Sequence, residues 1–184
     1  MTTEADRHLL LRLAREAIAA YVGNLPAPAP VMSGALARPG GAFVTLHKHG
    51  DLRGCIGHVE AKEPIGRVVP RCAVSAGSSD PRFPPVTSSE LDDLDIEISL
   101  LGPLEPIAGP ADIEIGRHGL VVERGWQRGL LLPQVATEWH WDADTFLAQT
   151  CRKAGLTNDA WKHGATIWRF EAEVFGEPQR PSVS

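Results

Sequence analysis

At positions 52–59 the chain has the sequence Leu52-Arg53-Gly54-Cys55-Ile56-Gly57-His58-Val59. The residue types predict a β-strand, yet two glycines stand where bulky side chains are preferred. Glycine inside a strand weakens it and usually marks a bulge or the close approach of a ligand or of another backbone segment. We therefore predict that a ligand or another backbone segment approaches this strand closely at Gly54 and Gly57. Both are candidate ligand-binding residues.

The segments around this strand predict an α+β fold built on antiparallel pairing. Ala42 to His49 and Leu52 to Val59 are two apolar runs joined by a Gly-Asp turn, which is typical of a hairpin. Leu94 to Leu101 alternates apolar and polar residues, as a strand with one buried face does. An amphipathic helix should open the chain, with Thr3 as its N-cap and Gly23 at its end.

The remaining elements follow from turn residues and periodicity. A helix should start after Pro64 and be kinked or restarted at Pro70. The three prolines between residues 78 and 86 predict a rigid irregular loop. Residues 113–123 predict a strand, a turn near His118 and a second strand, and Asp142 should cap a helix that ends at Gly155. A final strand is expected from about residue 166 to residue 175.

Composition and charge exclude several classes of protein. The chain has 18 Lys plus Arg against 23 Asp plus Glu, and no basic stripe, so nucleic acid is not expected as a partner. No stretch approaches the roughly 20 apolar residues that cross a bilayer. The N-terminal residues lack the pattern of a secretory signal, so we expect a cytoplasmic protein without a membrane span.

Cysteine and histidine usage does not favour a metal centre. The three cysteines are far apart, which fits a reducing compartment and excludes a clustered iron-sulfur motif. His47, His49, Cys55 and His58 fall within twelve positions, but Cys55 and His58 must lie on opposite faces of a regular strand. Without a bulge the four cannot converge on one ion, so we predict neither a metal site nor a cofactor.

Cys55 is the candidate nucleophile of the chain. Alternation places it on the same strand face as Arg53, whose charge would favour the thiolate, and His58 or His118 would serve as the base. The alternative is that Cys55 packs as a small hydrophobe, as free cysteines most often do.

Arg53 and Arg82 are candidates for binding an anionic ligand through their planar guanidinium groups. The alternative is that they form intramolecular ion pairs with Asp80 or Glu97. Both interpretations fit the sequence.

Several motifs in order along the chain resemble the AMMECR family, whose prokaryotic members are called AmmeMemoRadiSam system protein A. The resemblance runs from about residue 5 to residue 176, and its most specific element is Leu-Arg-Gly-Cys-Ile-Gly. The other matching segments are Phe43-Val44-Thr45-Leu46, Asp80-Pro81-Arg82-Phe83-Pro84-Pro85-Val86, Ile96-Glu97-Ile98-Ser99-Leu100, His118-Gly119-Leu120, Leu130-Leu131-Leu132-Pro133-Gln134-Val135 and Lys153-Ala154-Gly155-Leu156.

The resemblance implies antiparallel sheets with packed helices in one AMMECR domain over residues 5–176, arranged as two intimately packed subdomains. The residues after Gly176 are Glu-Pro-Gln-Arg-Pro-Ser-Val-Ser, and they predict a flexible tail over residues 177–184. It implies partners, namely a Memo-like protein and a radical S-adenosylmethionine protein, but no reaction. The residues that match the family's motifs are Arg53, Gly54, Cys55, Gly57, Asp80, Arg82, Phe83, Glu97, His118, Gly119 and Lys153. The resemblance implies all of these except Gly119 as site residues.

Two functions stay open at this point. In the first, the protein is an enzyme or modifying factor with Cys55 as its reactive group, His118 as base and the arginines as anion clamps. In the second, it is a non-catalytic module that binds a small molecule or a partner.

Overall fold

The computed structural model describes residues 1–178 and contains four α-helices and seven β-strands in that part of the chain. In chain order these are α1 (Glu4–Val22), β1 (Ala42–Lys48), β2 (Asp51–His58), α2 (Ile65–Ser78), β3 (Leu94–Leu101), β4 (Glu105–Pro106), β5 (His118–Arg124), β6 (Gln127–Leu131), α3 (Pro133–Glu138), α4 (Ala143–Lys153) and β7 (Thr166–Gly176). The chain divides into two compact units. Among the described residues, 1–101 and 173–178 form the first, and residues 102–172 form the second.

The first unit packs two helices on one face of an antiparallel sheet. Strand β1 is central and pairs with β2 on one side and with β3 on the other. Every second residue of β3, and of β1 as far as Leu46, is apolar and buried, and these residues form one core with α1 and α2. Its fully buried members on the sheet include Val44, Leu46, Ile96 and Ile98.

The second unit is built around a separate core. Strand β5 pairs with β6 and with β7, and the short β4 pairs with the other edge of β7, all antiparallel. Helix α4 buries Phe146, Leu147 and Cys151 in this core, and the Asp142 carboxylate accepts a hydrogen bond from the Thr145 amide at the helix start. The predicted α+β class with antiparallel sheets and packed helices is confirmed.

The opening helix begins where the sequence predicts. The Thr3 hydroxyl accepts from the Asp6 amide, while the Asp6 carboxylate accepts from the Thr3 amide, so the two residues form a capping box. Each bond satisfies a backbone donor that the helix itself leaves unpaired at its end.

Two predictions about local structure are corrected. Helix α2 continues through Pro70 without a restart. Residues 113–117 form a turn rather than a strand, because the amides of Arg117 and His118 both donate to the Glu114 carbonyl. Glu177, the first residue of the predicted tail, is paired with Arg15 at 2.6 Å and accepts from the Ile96 amide at 3.0 Å. Residues 179–184 of that predicted tail lie outside the described residues.

Candidate functional site

The first glycine of the motif is explained by packing within the first unit. A Cβ atom at Gly54 would lie 2.1 Å from the carbonyl oxygen of Ala76 in helix α2, which no side chain can tolerate. Gly54 is therefore the point at which strand β2 and helix α2 approach most closely. The close approach that the sequence indicates is made by the protein's own backbone.

The second glycine is covered by an aromatic ring. Gly57 lies opposite Phe43 in the β1–β2 pair, and a Cβ at Gly57 would lie 2.3 Å from the Phe43 ring. The second unit repeats this arrangement, since Gly119 of β5 lies opposite Phe170 of β7 and a Cβ there would lie 2.2 Å from its ring. An aromatic side chain over a strand glycine restores the packing that the glycine lacks.

Arg53 is the extra residue of a β-bulge. Leu46 pairs with Gly54 and His47 pairs with Leu52, so Arg53 has no opposite residue on β1. Its Nε and Nη2 atoms donate to the two carboxylate oxygens of Glu90 at 3.0 and 3.2 Å. The intramolecular ion pair considered for Arg53 therefore exists, but its partner is Glu90 rather than Asp80 or Glu97.

Glu90 is a site residue that the sequence analysis missed. Its carboxylate also accepts from Lys48 Nζ at 3.1 Å and from the Thr87 amide at 2.9 Å. The hydrogen bonds from Arg53, followed by those from Thr87 and Lys48, lower the pKa of Glu90 to about 2 despite its burial. The Thr87-x-x-Glu90 spacing, which is that of a capping box, was the available signal.

Asp80 connects the loop of residues 79–86 to strand β2. Its carboxylate accepts from the Cys55 amide at 3.0 Å, from the Arg82 amide at 3.0 Å, and from Arg82 Nε and Nη2 at 3.0 and 2.7 Å. Asp80 is only 4% exposed, and hydrogen bonding by Arg82 holds its pKa well below the usual range. An anionic carboxylate with this many donors fixes the loop against the strand.

Arg82 and Phe83 are displayed at the end of this connection. The Arg82 side chain is 51% exposed, and its guanidinium carbon lies 5.5 Å from the centroid of the Phe83 ring. The guanidinium carbon of Arg53 lies 5.9 Å from the same centroid. Both distances are in the range of cation–π contacts. We call Cys55, Asp80, Arg82 and Phe83 the loop–strand site.

Cys55 lies half-buried on the sheet face opposite the core of the first unit. Its Sγ accepts a hydrogen bond from the Thr45 hydroxyl at 3.3 Å, and Thr45 is its direct partner on β1. Glu97 pairs with Thr45 from the other side, so it lies on the same face but two strands from Cys55. His58 pairs with Ala42 of the buried face, which removes it as a base for the thiol.

His118 belongs to the second unit, where its imidazole has a local partner. Nδ1 accepts a hydrogen bond from the Glu114 amide at 2.9 Å, so the neutral ring carries its proton on Nε2. Burial, together with the nearby charges of Arg169 and Arg117, lowers the pKa of His118. The His118 imidazole therefore stabilises the turn that precedes β5 by accepting a hydrogen bond from the Glu114 amide.

Lys153 also belongs to the second unit and is the last residue of α4. Together with Arg152 it places positive charge at the C-terminal end of the helix, which the helix dipole favours. A Cβ at Gly129 would lie 2.8 Å from the Lys153 carbonyl carbon, so β6 packs directly on this helix end.

The described residues offer neither a metal-binding cluster nor a membrane-spanning helix. Within residues 1–178, no three His, Cys, Asp or Glu side chains are arranged to hold a metal ion. Over the same residues, no helix combines the length and apolar character needed to cross a membrane.

Comparison with known proteins gives a consistent result over nearly the whole chain. The family model described as AMMECR1 matches residues 11–175. A protein of Methanothermobacter thermautotrophicus is 54% identical over 144 residues, covering 74% of this chain and 75% of the relative. A protein of Thermococcus gammatolerans is 46% identical over 181 residues, covering 91% and 88%. The crystal structure of uncharacterized protein PH0010 from Pyrococcus horikoshii matches with a TM-score of 0.87 and 42% identity, covering 92% of this chain and 90% of that chain.

Proposed function

The chain belongs to the AMMECR1 family, and we propose that it is a binding module whose loop–strand site takes a small oxyanion-bearing ligand. The observation that carries this proposal is the geometry of Arg82, which is ion-paired on one edge and half-exposed on the other. The ligand would bear a carboxylate or a phosphate group.

The Arg82–Asp80 pair supports the proposal because it leaves donors for a second anion. A guanidinium has five N–H donors, and side-on pairing through Nε and Nη2 uses two of them. The remaining three point away from Asp80, and the Arg82 side chain as a whole is 51% exposed. Since the carboxylate and the Phe83 ring already orient the side chain, little conformational entropy remains to be lost on binding.

The ion pairs at the site include one more cation than carboxylates. Asp80 balances Arg82, whereas the Glu90 carboxylate faces two cations, Arg53 and Lys48. These five groups together carry one excess positive charge. Arg53 acts within this arrangement as a buried counterion of Glu90, so the direct ligand contact is assigned to Arg82.

Cys55 has a positioning and lining role in this proposal. Its amide is the donor that joins β2 to Asp80, and its thiol lies beside Thr45 on the face of the sheet. The imidazole of His58 is on the opposite face, and that of His118 is engaged with Glu114. These positions favour a binding module over thiol-imidazole catalysis.

The resemblance of the motifs to AmmeMemoRadiSam system protein A adds the partners to the proposal. The module would present its ligand to a Memo-like protein and to a radical S-adenosylmethionine protein in the cytoplasm. Co-purification of these proteins with the wild-type chain, and loss of that association in Arg82→Gln, would support this part.

Calorimetric titration with succinate and with inorganic phosphate tests the binding function. We expect saturable binding to the wild type and a loss of about tenfold or more in Arg82→Gln, which is the loss expected when a hydrogen bond to a charged group is removed. Arg12→Gln, on the exposed face of α1, is the control and should bind as the wild type does. Absence of saturable binding for both probes, or equal losses in the two variants, would contradict the proposal.

A second candidate function rests on the Thr45–Cys55 hydrogen bond. A hydroxyl that donates to sulfur stabilises negative charge on it, and Cys55 is more accessible than the buried Cys72 and Cys151. On this hypothesis the protein is a thiol-dependent modifying factor. Fast alkylation of Cys55 in the native state at neutral pH, slowed in Thr45→Val, would favour it, while a thiol that reacts only at alkaline pH would exclude it.

A further inference from the structure

A groove of about 330 Å³ lies between the two helices of the first unit and the proline-rich segment that follows α1. It shares no residue with the loop–strand site. Its walls are apolar and are formed by Ala17, Ala27, Pro28, Pro30, Pro70 and Val74. A cavity of this size and composition is within the range that small ligands occupy.

The outer wall of the groove is fixed at both of its ends. The Leu25 amide donates to the Ala20 carbonyl at 2.8 Å, where the segment leaves α1. Further along, a Cβ at Gly66 would lie 1.9 Å from the Val31 carbonyl oxygen, so the segment lies directly against α2. Prolines at positions 28 and 30 restrict the backbone in between. The groove is therefore preformed rather than dependent on a ligand for its shape.

The rim of the groove has an unbalanced positive charge. Arg67 and Arg71 both line it and are exposed, and Arg71 is ion-paired with Glu63 at 2.8 Å. Within the described residues, Arg67 has only a weak contact from Nη2 to the sulfur of Met32 at 3.9 Å. Two guanidinium groups thus face one carboxylate, and Arg67 has its donors available at the mouth.

From the apolar walls and this cation we infer that the groove binds a small monocarboxylate with an apolar body, such as a medium-chain fatty acid. The alkyl chain lies against the prolines and Val74, where it removes apolar surface from water. The carboxylate lies at the mouth and accepts hydrogen bonds from Arg67 in the paired geometry that guanidinium groups favour. A neutral apolar compound would use the walls but not the cation.

Titration calorimetry with octanoate and with octanol separates the contribution of the apolar walls from that of the Arg67 cation. The wild type should bind octanoate saturably and more tightly than octanol. Arg67→Gln should weaken octanoate binding by about tenfold and leave octanol binding unchanged, since only a charge-assisted hydrogen bond is removed. Arg12→Gln, a cation on α1 outside the groove, should bind both compounds as the wild type does.

A second variant tests the walls of the groove. Ala27 lines the groove from an exposed position, so Ala27→Phe should fill it without disturbing the core, and circular dichroism will verify the fold. We expect this variant to lose both octanoate and octanol. The inference is overturned if octanoate does not bind saturably to the wild type, if Ala27→Phe binds it unchanged, or if Arg67→Gln and Arg12→Gln weaken it equally.

Discussion

The carboxylate of Asp80 accepts the backbone N–H of Cys55 at 3.0 Å while it is paired side-on with the guanidinium of Arg82. One buried side chain thereby sets the position of an exposed arginine relative to a strand. The amide of an edge strand would otherwise face solvent or a neighbouring chain, so the same bond also protects that edge. The loop–strand site depends on this relationship.

Replacing the carboxylate should weaken the fold measurably. Asp80→Asn removes the negative charge from a 4% exposed position and leaves the donors of Arg82 and Cys55 without their anionic acceptor. We expect the free energy of unfolding to fall by about 2 kcal/mol, the usual cost of losing hydrogen bonds to a charged group. Urea denaturation will measure it, with Asp51→Asn at the exposed start of β2 as a control that should change stability by less than about 0.5 kcal/mol.

The stability of the protein should fall as the pH is lowered below about 5. Both Asp80 and Glu90 have folded-state pKa values below their ordinary values, because Arg82 and Arg53 hydrogen-bond their charged forms. The unfolded chain therefore takes up protons first, near pH 4, and the stabilisation present above that pH is lost progressively toward pH 2. Unfolding free energies across this window should be steeper for the wild type than for the double variant Asp80→Asn/Glu90→Gln, and identical slopes would refute the assignment.

Two glycines of the first unit, Gly54 and Gly77, predict opposite effects of the same substitution. Gly54→Ala would place a Cβ 2.1 Å from the Ala76 carbonyl oxygen, so we expect a loss of about 3 kcal/mol or more, or failure to fold. Gly77→Ala, in helix α2, finds its nearest neighbours at 3.6 Å and gains helix propensity, so stability should be unchanged or rise by about 0.5 kcal/mol. Thermal unfolding of both variants tests this explanation. If only Gly54→Ala lowers the melting temperature, the close backbone contact is the cause, whereas equal losses would show that the first unit tolerates alanine at neither glycine.

The cysteines should differ sharply in their reactivity with iodoacetamide. Burial raises the pKa of Cys72 to about 11 and raises that of Cys151, and their exposed fractions are 1% and 0%. Cys55 is half-buried at the surface of the sheet. Mass spectrometry of the native protein should therefore find one modified thiol, Cys55, with the other two labelled only in denaturant. Labelling of Cys72 at a comparable rate would show that the core of the first unit opens readily.

Much of the fold could be predicted from local sequence, and the exceptions have physical causes. The capping residues Thr3 and Asp142 act within one turn of chain, so their roles were visible. Residues 113–117 were predicted as a strand from their apolar alternation, but the Glu114 carbonyl and amide are both engaged in a turn with His118. A local hydrogen-bond network decided the outcome there, and residue types alone do not reveal it.

The site was predictable in its location but not in its pairing. The Asp80 loop and β2 were both predicted to carry site residues. The partner of Arg53 could not be predicted, because it depends on a β-bulge that leaves Arg53 without an opposite residue on β1. The meaning of Gly54 depends on which element packs over it, and that contact joins residues 22 positions apart, Gly54 and Ala76. Sequence alternation describes a regular strand, so it fails at the irregular positions on which this site is built.

The most direct test of the central claim is a ¹H–¹⁵N correlation titration of the wild-type protein with succinate. Binding at the exposed edge of Arg82 should shift the Arg82 Nε signal and the Cys55 amide signal together, because Asp80 joins the two groups. Both shifts should saturate at the same concentration and vanish in Arg82→Gln. Succinate-dependent shifts that leave Arg82 and Cys55 unchanged, or that persist in Arg82→Gln, would contradict the account.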